Sequence, residues 1–183
     1  QVPGVSLSGV GNNAIENEIY QAPHFAIMLR DSAENTVKHN YIHDLPSYFK
    51  QDGGAIYFGI GHSPHLRGNR IEANYLANIP TNGVYIDNFS SGVLVKNNIF
   101  NNVANQKSNF GAIDINGGGQ NVMLENLFHN VARPMKHNRF AERNLFKNYY
   151  GSMQQVHNAF NSFGVGNTAH VEYEGFLKFL DYQ

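Results

Sequence analysis

Two tyrosines and two aspartates in the middle of the sequence recur at a nearly constant spacing. Tyr85 follows Tyr57 after 28 residues, Asp114 follows Tyr85 after 29, and Asp87 lies two residues beyond Tyr85. A tyrosine ring can pack against the face of a sugar ring while polar neighbours bond to its hydroxyls. Paired carboxylates can act as the acid and the base of glycoside hydrolysis. These residues predict a saccharide site, provided that the fold brings them to one surface.

A repeat of about the same length accounts for this spacing. A short apolar pattern occurs four times, at residues 26–29, 55–58, 83–86 and 112–115, with starts 29, 28 and 29 residues apart. Weaker copies at residues 4–7 and 134–137 stand 22 residues outside this series. Within each copy apolar residues alternate, as in β-strands. Repetition at this period indicates a solenoid built from stacked coils.

A column of asparagines has the same register as the repeat. An asparagine followed two residues later by an apolar residue recurs in the register of the repeat, at Asn17, Asn40, Asn74, Asn98 and Asn126. We expect each asparagine to lie in a tight bend between two strands, because asparagine tolerates the left-handed conformation. Stacked amide side chains can also bond to one another along the pile. The pattern therefore predicts an asparagine ladder.

Together, the repeat and the asparagines resemble the right-handed parallel β-helix of the pectate-lyase-like superfamily, over roughly residues 5–138. In that superfamily each coil has three short strands, and the bend between the second and third carries the ladder. The resemblance implies an all-β solenoid of about five to six coils. It does not determine an activity, because lyases, hydrolases, epimerases and non-catalytic proteins share this fold.

The period of the sequence changes after residue 138. Leu145, Tyr149, Met153, Val156 and Phe160 recur at three- and four-residue spacing, which predicts an amphipathic helix over 141–161. A shorter helix is predicted over 172–180. We therefore expect a β-helix over residues 1–140 and a helical segment over 141–183 that caps the last coil of the same domain. The alternative is a helix that binds a partner. Asn144 is assigned to the helix rather than to the ladder.

Strand alternation identifies the side chains that point outward. Ile27, Ile56, Val84 and Ile113 are expected inside the coil, so the residues between the inward positions point out. One outward column is Ser6, Met28, Tyr57, Tyr85, Asp114 and Lys136, and the next is Ser8, Arg30, Gly59, Asp87, Asn116 and Asn138. We expect Tyr57, Tyr85 and Asp114 to be exposed. In the resembled superfamily this face, with its flanking loops, is the saccharide groove.

These columns and one flanking loop supply the candidate site. The expected substrate-binding residues are Tyr57, Tyr85, His62, His65, Asn116 and Lys136, and the expected catalytic residues are Asp87, Asp114 and Arg30. Asp87 and Asp114 lie on neighbouring coils with Cα atoms about 8 Å apart, within the carboxyl separation of inverting glycosidases. The resemblance also allows β-elimination, for which Arg30, Lys136, His62 and His65 are the candidate residues.

Two classes of function remain open, an enzyme acting on an acidic or neutral polysaccharide and a non-catalytic β-helix that binds glycans or serves in assembly. No cofactor is expected, although calcium is possible for a lyase. His62 and His65 alone are a weak signal for a metal.

The composition limits the partners. The 183 residues carry a net charge of −1 and only 15% charged side chains, which disfavours nucleic acid and membrane surfaces. The expected partner is a polysaccharide, and an extracellular, secreted location is expected. Because strand-forming residues occur from Val2 onward, we also expect a homo- or hetero-oligomer, or a longer parent chain, to cover the first coil.

Overall fold

The computed structural model describes residues 3–46, 52–59, 65–105, 109–138, 141–150 and 168–172. These residues form a right-handed parallel β-solenoid of about five turns, with no helix in the described part. The predicted fold class is therefore confirmed. Among the described residues, no helix is long and apolar enough to cross a membrane.

The first strand of each coil belongs to one six-stranded parallel sheet, which we call the first sheet. Its strands are β1 (Val5–Val10), β4 (Phe25–Ala33), β7 (Gly54–Gly59), β10 (Asn82–Asp87), β13 (Ile113–Ile115) and β16 (Met135–His137). Ile56 pairs with Ile27 and Val84, and Ile113 pairs with Val84 and Met135. The register predicted from the repeat is confirmed throughout this sheet.

The second and third strands of the coils complete the solenoid. The second strands are β2 (Asn13–Ile15), β5 (Thr36–Lys38), β8 (Arg70–Glu72) and β11 (Leu94–Lys96), and the third strands are β3 (Glu18–Tyr20), β6 (Tyr41–His43), β9 (Tyr75–Ile79) and β12 (Ile99–Val103). Both series end on the long strand β15 (Val122–His129), which joins them into one sheet. A short strand β14 (Gly118–Gly119) pairs with β17 (Ala141–Glu142).

The coil interior is filled by columns of apolar side chains, one from each coil. Ile56, Phe58, Ile86 and Ile115 are completely buried, as predicted. On the third strands, the rings of Phe100 and Phe128 stack with their centroids 5.0 Å apart. Since one face of every strand is buried, a shift of the register by one residue would expose an entire column.

The asparagine ladder is present and longer than predicted. Each side-chain amide donates to the side-chain carbonyl of the asparagine on the next coil, at 2.8–2.9 Å, through Asn17, Asn40, Asn74, Asn98, Asn126 and Asn148. A second row, which the sequence reading missed, lies at the bend before the second strands. Its members are Asn12, Asn35, Asn69, Asn121 and Asn144, with Val93 in place of one asparagine.

The expected backbone role of these asparagines was wrong. For the first five ladder asparagines, from Asn17 to Asn126, the left-handed conformation belongs to the residue before the asparagine, with φ of 54° at His39, 51° at Ala73 and 55° at Asn97. The bend therefore uses two residues. The first turns the chain, and the second directs its amide into the stack, where it bonds along the solenoid axis.

Replacing Asn74 by alanine is expected to lower the free energy of unfolding by about 1–3 kcal/mol. Its side chain is buried and donates to Val37 and Asn98, while its carbonyl accepts two bonds from Asn40. Alanine leaves these buried groups without partners. Urea denaturation measures the loss. The control is Asn101→Ala, which removes solvent-accessible bonds to Tyr75 and His129 and is expected to cost less than about 0.5 kcal/mol. Equal losses would contradict a structural role for the ladder.

The helix predicted over 141–161 is wrong where the structure describes it. Residues 141–150 contain β17 and strand β18 (Leu145–Tyr150), and β18 pairs with β15. Asn144 is a member of the second asparagine row. Strand β19 (Thr168–Glu172) pairs with β18 in turn. The remaining residues of both predicted helices lie outside the described residues, and the helical cap is not shown.

The first coil forms an edge of the solenoid in the described part of the chain. Strands β1, β2 and β3 pair with β4, β5 and β6 on one side. Val10 and Ile15 on this coil are exposed, at 69% and 43%. That another subunit or a further part of a longer chain covers this coil stays a prediction.

Candidate functional site

The outer face of the first sheet brings most of the predicted site residues together. Along one column, Tyr57 pairs with Tyr85, Tyr85 with Asp114, and Asp114 with Lys136. Asp87 lies at the end of β10, two residues beyond Tyr85. We call this surface, made by Tyr57, Tyr85, Asp87, Asp114, Asn116 and Lys136, the first-sheet face. The first predicted outward column is confirmed in its register, and in the second column Asp87 pairs with Gly59 as predicted.

The aromatic part of the first-sheet face contains three rings. Tyr57 and Tyr85 meet edge to face with their centroids 5.6 Å apart, and Phe25 stacks on Tyr57 at 4.3 Å. Both tyrosines are half-buried rather than exposed. The sequence reading missed Phe25, because strict alternation from Ile27 assigns it to the interior. Ala26 joins the core cluster instead, and the ring of Phe25 lies against the outer tyrosine.

The carboxylate of Asp87 is held by two neutral donors from neighbouring coils. The hydroxyl of Tyr57 donates to Oδ2 at 2.8 Å, and the amide of Asn116 donates to Oδ1 at 2.7 Å. Asn138 donates in turn to Asn116. Gly59 is the strand neighbour of Asp87, and a Cβ at this position would come within 2.8 Å of the Tyr57 ring. The absence of a side chain there lets the tyrosine reach the aspartate.

Asp114 points outward but is buried, so its predicted exposure is wrong. It is 3% exposed, and the ammonium of Lys136 donates to its Oδ2 at 2.6 Å. The two residues are strand neighbours, so the long lysine side chain can lie over the aspartate. Burial raises the pKa of Asp114 above its ordinary value, and the positive charge of Lys136 opposes this shift without cancelling it.

The tyrosines remain neutral hydrogen-bonding groups. Burial raises the pKa of Tyr57 well above its ordinary value, and the hydrogen bond to Asp87 adds to the shift. Burial is also the main cause of the raised pKa of Tyr85, with further contributions from the charges of Asp87, Asp114 and Asp52. Asp52, an exposed residue that the sequence reading did not select, therefore acts on this face. The sequence could have indicated Asp52, because it lies just before β7, the strand that carries Tyr57.

The other predicted site residues lie at the edge of the first-sheet face or outside the described residues. Arg30 is exposed and close enough to Tyr57 to oppose the shift of its pKa. His65 is exposed, and His62 lies outside the described residues. Arg133, which was not predicted, acts on Asp114 from an exposed position.

A second group of rings covers the outer face of the third strands. Tyr41 stacks on Tyr75 at 5.2 Å and on His43 at 4.0 Å, and His43 stacks on Tyr20 at 5.4 Å. The imidazole also contacts Asp44 at 2.7 Å and Glu18 at 3.2 Å. The bond to Asp44 is the main cause of a raised pKa of His43. This group joins the first three coils and lies on a different sheet from the predicted site.

Calcium at the first-sheet face, expected only for a lyase, stays a prediction. Within the described part of the chain, no three histidine or carboxylate side chains are grouped as metal ligands. The ammonium of Lys136 also lies against Asp114, where it would oppose a cation.

Stacked parallel coils with internal asparagine rows define a parallel β-helix protein. A family model described as the right-handed beta helix region matches residues 1–167. The chain belongs to this family. The comparison with curated proteins gave no match, and the comparison with solved structures gave none.

Proposed function

We propose that this protein is a carbohydrate-active β-helix protein that binds a polysaccharide on the first-sheet face and hydrolyses it. One observation carries the proposal: two half-buried tyrosines lie beside two carboxyl groups in different environments on adjacent coils. Asp87 is held by neutral donors, whereas Asp114 is buried beside an ammonium. Carboxyl groups whose environments differ in this way can divide the roles of acid and base. A secreted location suits such a substrate and is part of the proposal.

Binding would use the rings and the amides of the face. The outer parts of Tyr57 and Tyr85 offer an aromatic surface for a sugar ring. Asn116 and Lys136, both partly exposed, supply donors for its hydroxyls. Since the strands of a β-helix repeat at a fixed spacing, successive coils can contact successive parts of an extended glycan.

Asp114 is the candidate proton donor. Its raised pKa favours the protonated carboxyl group needed to protonate the leaving oxygen. When the proton has moved to that oxygen and the glycosidic bond has broken, Asp114 is left as a carboxylate. The ammonium of Lys136, already in contact with Oδ2, stabilises this product of the proton transfer.

Asp87 is the candidate base. A carboxylate has about four lone-pair sites, and the bonds from Tyr57 and Asn116 use two of them. The remaining sites can take a proton from the water that attacks the anomeric carbon. Asp114 pairs with Tyr85, and Asp87 lies two residues beyond Tyr85. Asp87 and Asp114 are therefore one strand and two residues apart, which corresponds to the predicted Cα separation of about 8 Å. This arrangement favours inversion at the anomeric carbon.

A second candidate function is that of a non-catalytic glycan-binding β-helix. The observation favouring it is that both oxygens of Asp87 and one oxygen of Asp114 already bond to protein side chains. Such bonds also suit a purely structural network across the coils. Release of reducing ends from a polysaccharide by the purified protein separates this candidate from the hydrolase.

The double variant Tyr57→Ala/Tyr85→Ala is expected to lose at least about ten-fold in glycan affinity, because two ring contacts are removed. Binding is measured on a panel of pectate, alginate, chondroitin and neutral glycans, with circular dichroism to verify the fold. Absorbance at 235 nm and reducing ends report elimination and hydrolysis on the same panel.

The matched control is Tyr41→Ala/Tyr75→Ala, which removes two stacked tyrosines from the other sheet. This variant should bind like the parent. If the first double variant binds normally and the control does not, the glycan site lies on the third strands, and the proposal is wrong.

A further inference from the structure

We infer that the first-sheet face selects glycans whose sugar residues carry no carboxylate, and that it disfavours polyuronates. This inference rests on the proposed function and names its substrate class. The inference follows from which charges of the face have a neutralising partner. The residues concerned are Asp87, Asp114, Lys136 and Asp52.

The charge of Asp87 is bonded to neutral groups. This residue is 6% exposed, and the hydroxyl of Tyr57 and the amide of Asn116 donate to its two oxygens, with the neutral hydroxyl of Tyr85 as a further hydrogen-bonding neighbour. Neutral donors orient a carboxylate without cancelling its charge. A second carboxylate placed against the Tyr57 ring would therefore approach a negative group in a region where burial weakens the screening by water.

The lysine of the face does not supply a spare positive charge. Its ammonium lies 2.6 Å from the carboxyl group of Asp114, whose side chain is only 4% exposed. To neutralise a uronate, Lys136 would have to leave or share this partner. Breaking the pair leaves a buried carboxylate without its cation, which is unfavourable. With Asp114 ionised, the pair is therefore close to neutral towards an incoming glycan, so the charge selection applies at pH values above the pKa of Asp114, where the carboxyl group no longer acts as an acid.

Among the described residues, the other charges near Tyr85 are negative, and the charges at the edge of the face have both signs. Tyr85 is within electrostatic range of three carboxylates, those of Asp87, Asp114 and Asp52. Arg30 acts on Tyr57, and Arg133 acts on Asp114, but each is the weakest influence on its neighbour. Both arginines are exposed, as is Asp52, so salt screens these three charges alike, and the buried charge of Asp87 is screened least. A glycan lying over Tyr85 thus meets negative charge first.

The test compares glycans that share a backbone and differ in charge. Polygalacturonate, alginate and chondroitin are each measured beside their carboxyl-reduced forms, together with xylan and a β-glucan, by affinity electrophoresis at low salt and at a pH above the pKa of Asp114. For any backbone that binds, we expect the carboxyl-reduced form to bind at least about ten-fold more tightly. Added sodium chloride should narrow the difference, because it screens the repulsion.

Asp52→Asn tests the charge without disturbing the buried pair. Since Asp52 is exposed, its replacement should improve polyuronate binding about two- to three-fold and leave neutral glycans unchanged. Glu16→Gln is the matched control, because it makes the same change of net charge at an exposed bend between β2 and β3. An equal effect of both substitutions would attribute the preference to overall charge and overturn the inference.

Charge selection and glycan binding are contradicted by different results. Equal or tighter binding of the polyuronate forms overturns the charge selection and leaves glycan binding in place. The absence of binding to every polymer of the panel, neutral glycans included, removes both the inference and the proposed function.

Discussion

Truncating Phe58 to alanine is expected to lower the free energy of unfolding by about 3–5 kcal/mol. The side chain is completely buried and pairs with Leu29 on one neighbouring coil and Ile86 on the other. Its removal leaves a cavity in the middle of the stack, where the coils on both sides restrict collapse. Urea denaturation, followed by far-ultraviolet circular dichroism, measures the loss.

Tyr20→Ala is the control for this prediction. It removes an aromatic ring that is 56% exposed, and we expect a loss of less than about 1 kcal/mol. A loss at Phe58 no larger than that at Tyr20 would contradict the assignment of the Phe58 column to the core.

Replacing Asp114 by asparagine is expected to reduce polysaccharide hydrolysis by about 10²- to 10⁴-fold. The amide is similar in size but cannot donate an acidic proton. Glycan affinity should remain, since Tyr57 and Tyr85 are untouched. The measurement is the initial rate of reducing-end release, with affinity determined separately on the same polymer. Glu16→Gln, which also removes one negative charge, should keep the full rate.

The pH dependence provides an independent check of the role of Asp114. The group must be protonated to act as an acid, so the rate should fall as the pH rises through its pKa. Burial raises that pKa, and activity should therefore persist to a higher pH than an ordinary aspartic acid allows. An unchanged rate in Asp114→Asn would assign the proton donor to another group.

The fold could be predicted because its pattern is local and repeated. Residues 55–58 and 83–86 share the same alternation, and only one register of the strands keeps their apolar side buried. That register made Tyr85 the neighbour of Tyr57 and Asp114 the neighbour of Tyr85, as the structure confirms. The asparagine column could be predicted for the same reason, since each member occupies the same place in its coil.

The contacts within the site were not predictable from alternation. Alternation gives the direction of Asp114 but not the lysine that lies over it, so its burial was missed. It also does not indicate that Gly59 leaves space for Tyr57 to reach Asp87. These features depend on side-chain size in neighbouring coils, and the sequence repeat does not encode them.

The C-terminal error arose from a short ambiguous segment. Leu145 and Tyr149 are four residues apart, which suits a helix and also a strand. In the structure Asn144, Phe146 and Asn148 are buried, which is the alternation of a strand. The available signal was the ladder spacing, because Asn144 follows Asn121 by 23 residues and Asn148 follows Asn126 by 22.

The central claim is that a glycan binds across the first-sheet face. A crystal structure with a bound oligosaccharide, chosen from the polymer of the panel that binds most tightly, tests it most directly. We expect a sugar ring against Tyr57 and Tyr85, with a glycosidic oxygen within hydrogen-bond distance of Asp114. An oligosaccharide lying instead on the Tyr41 and Tyr75 rings, or on the C-terminal residues, would contradict this claim.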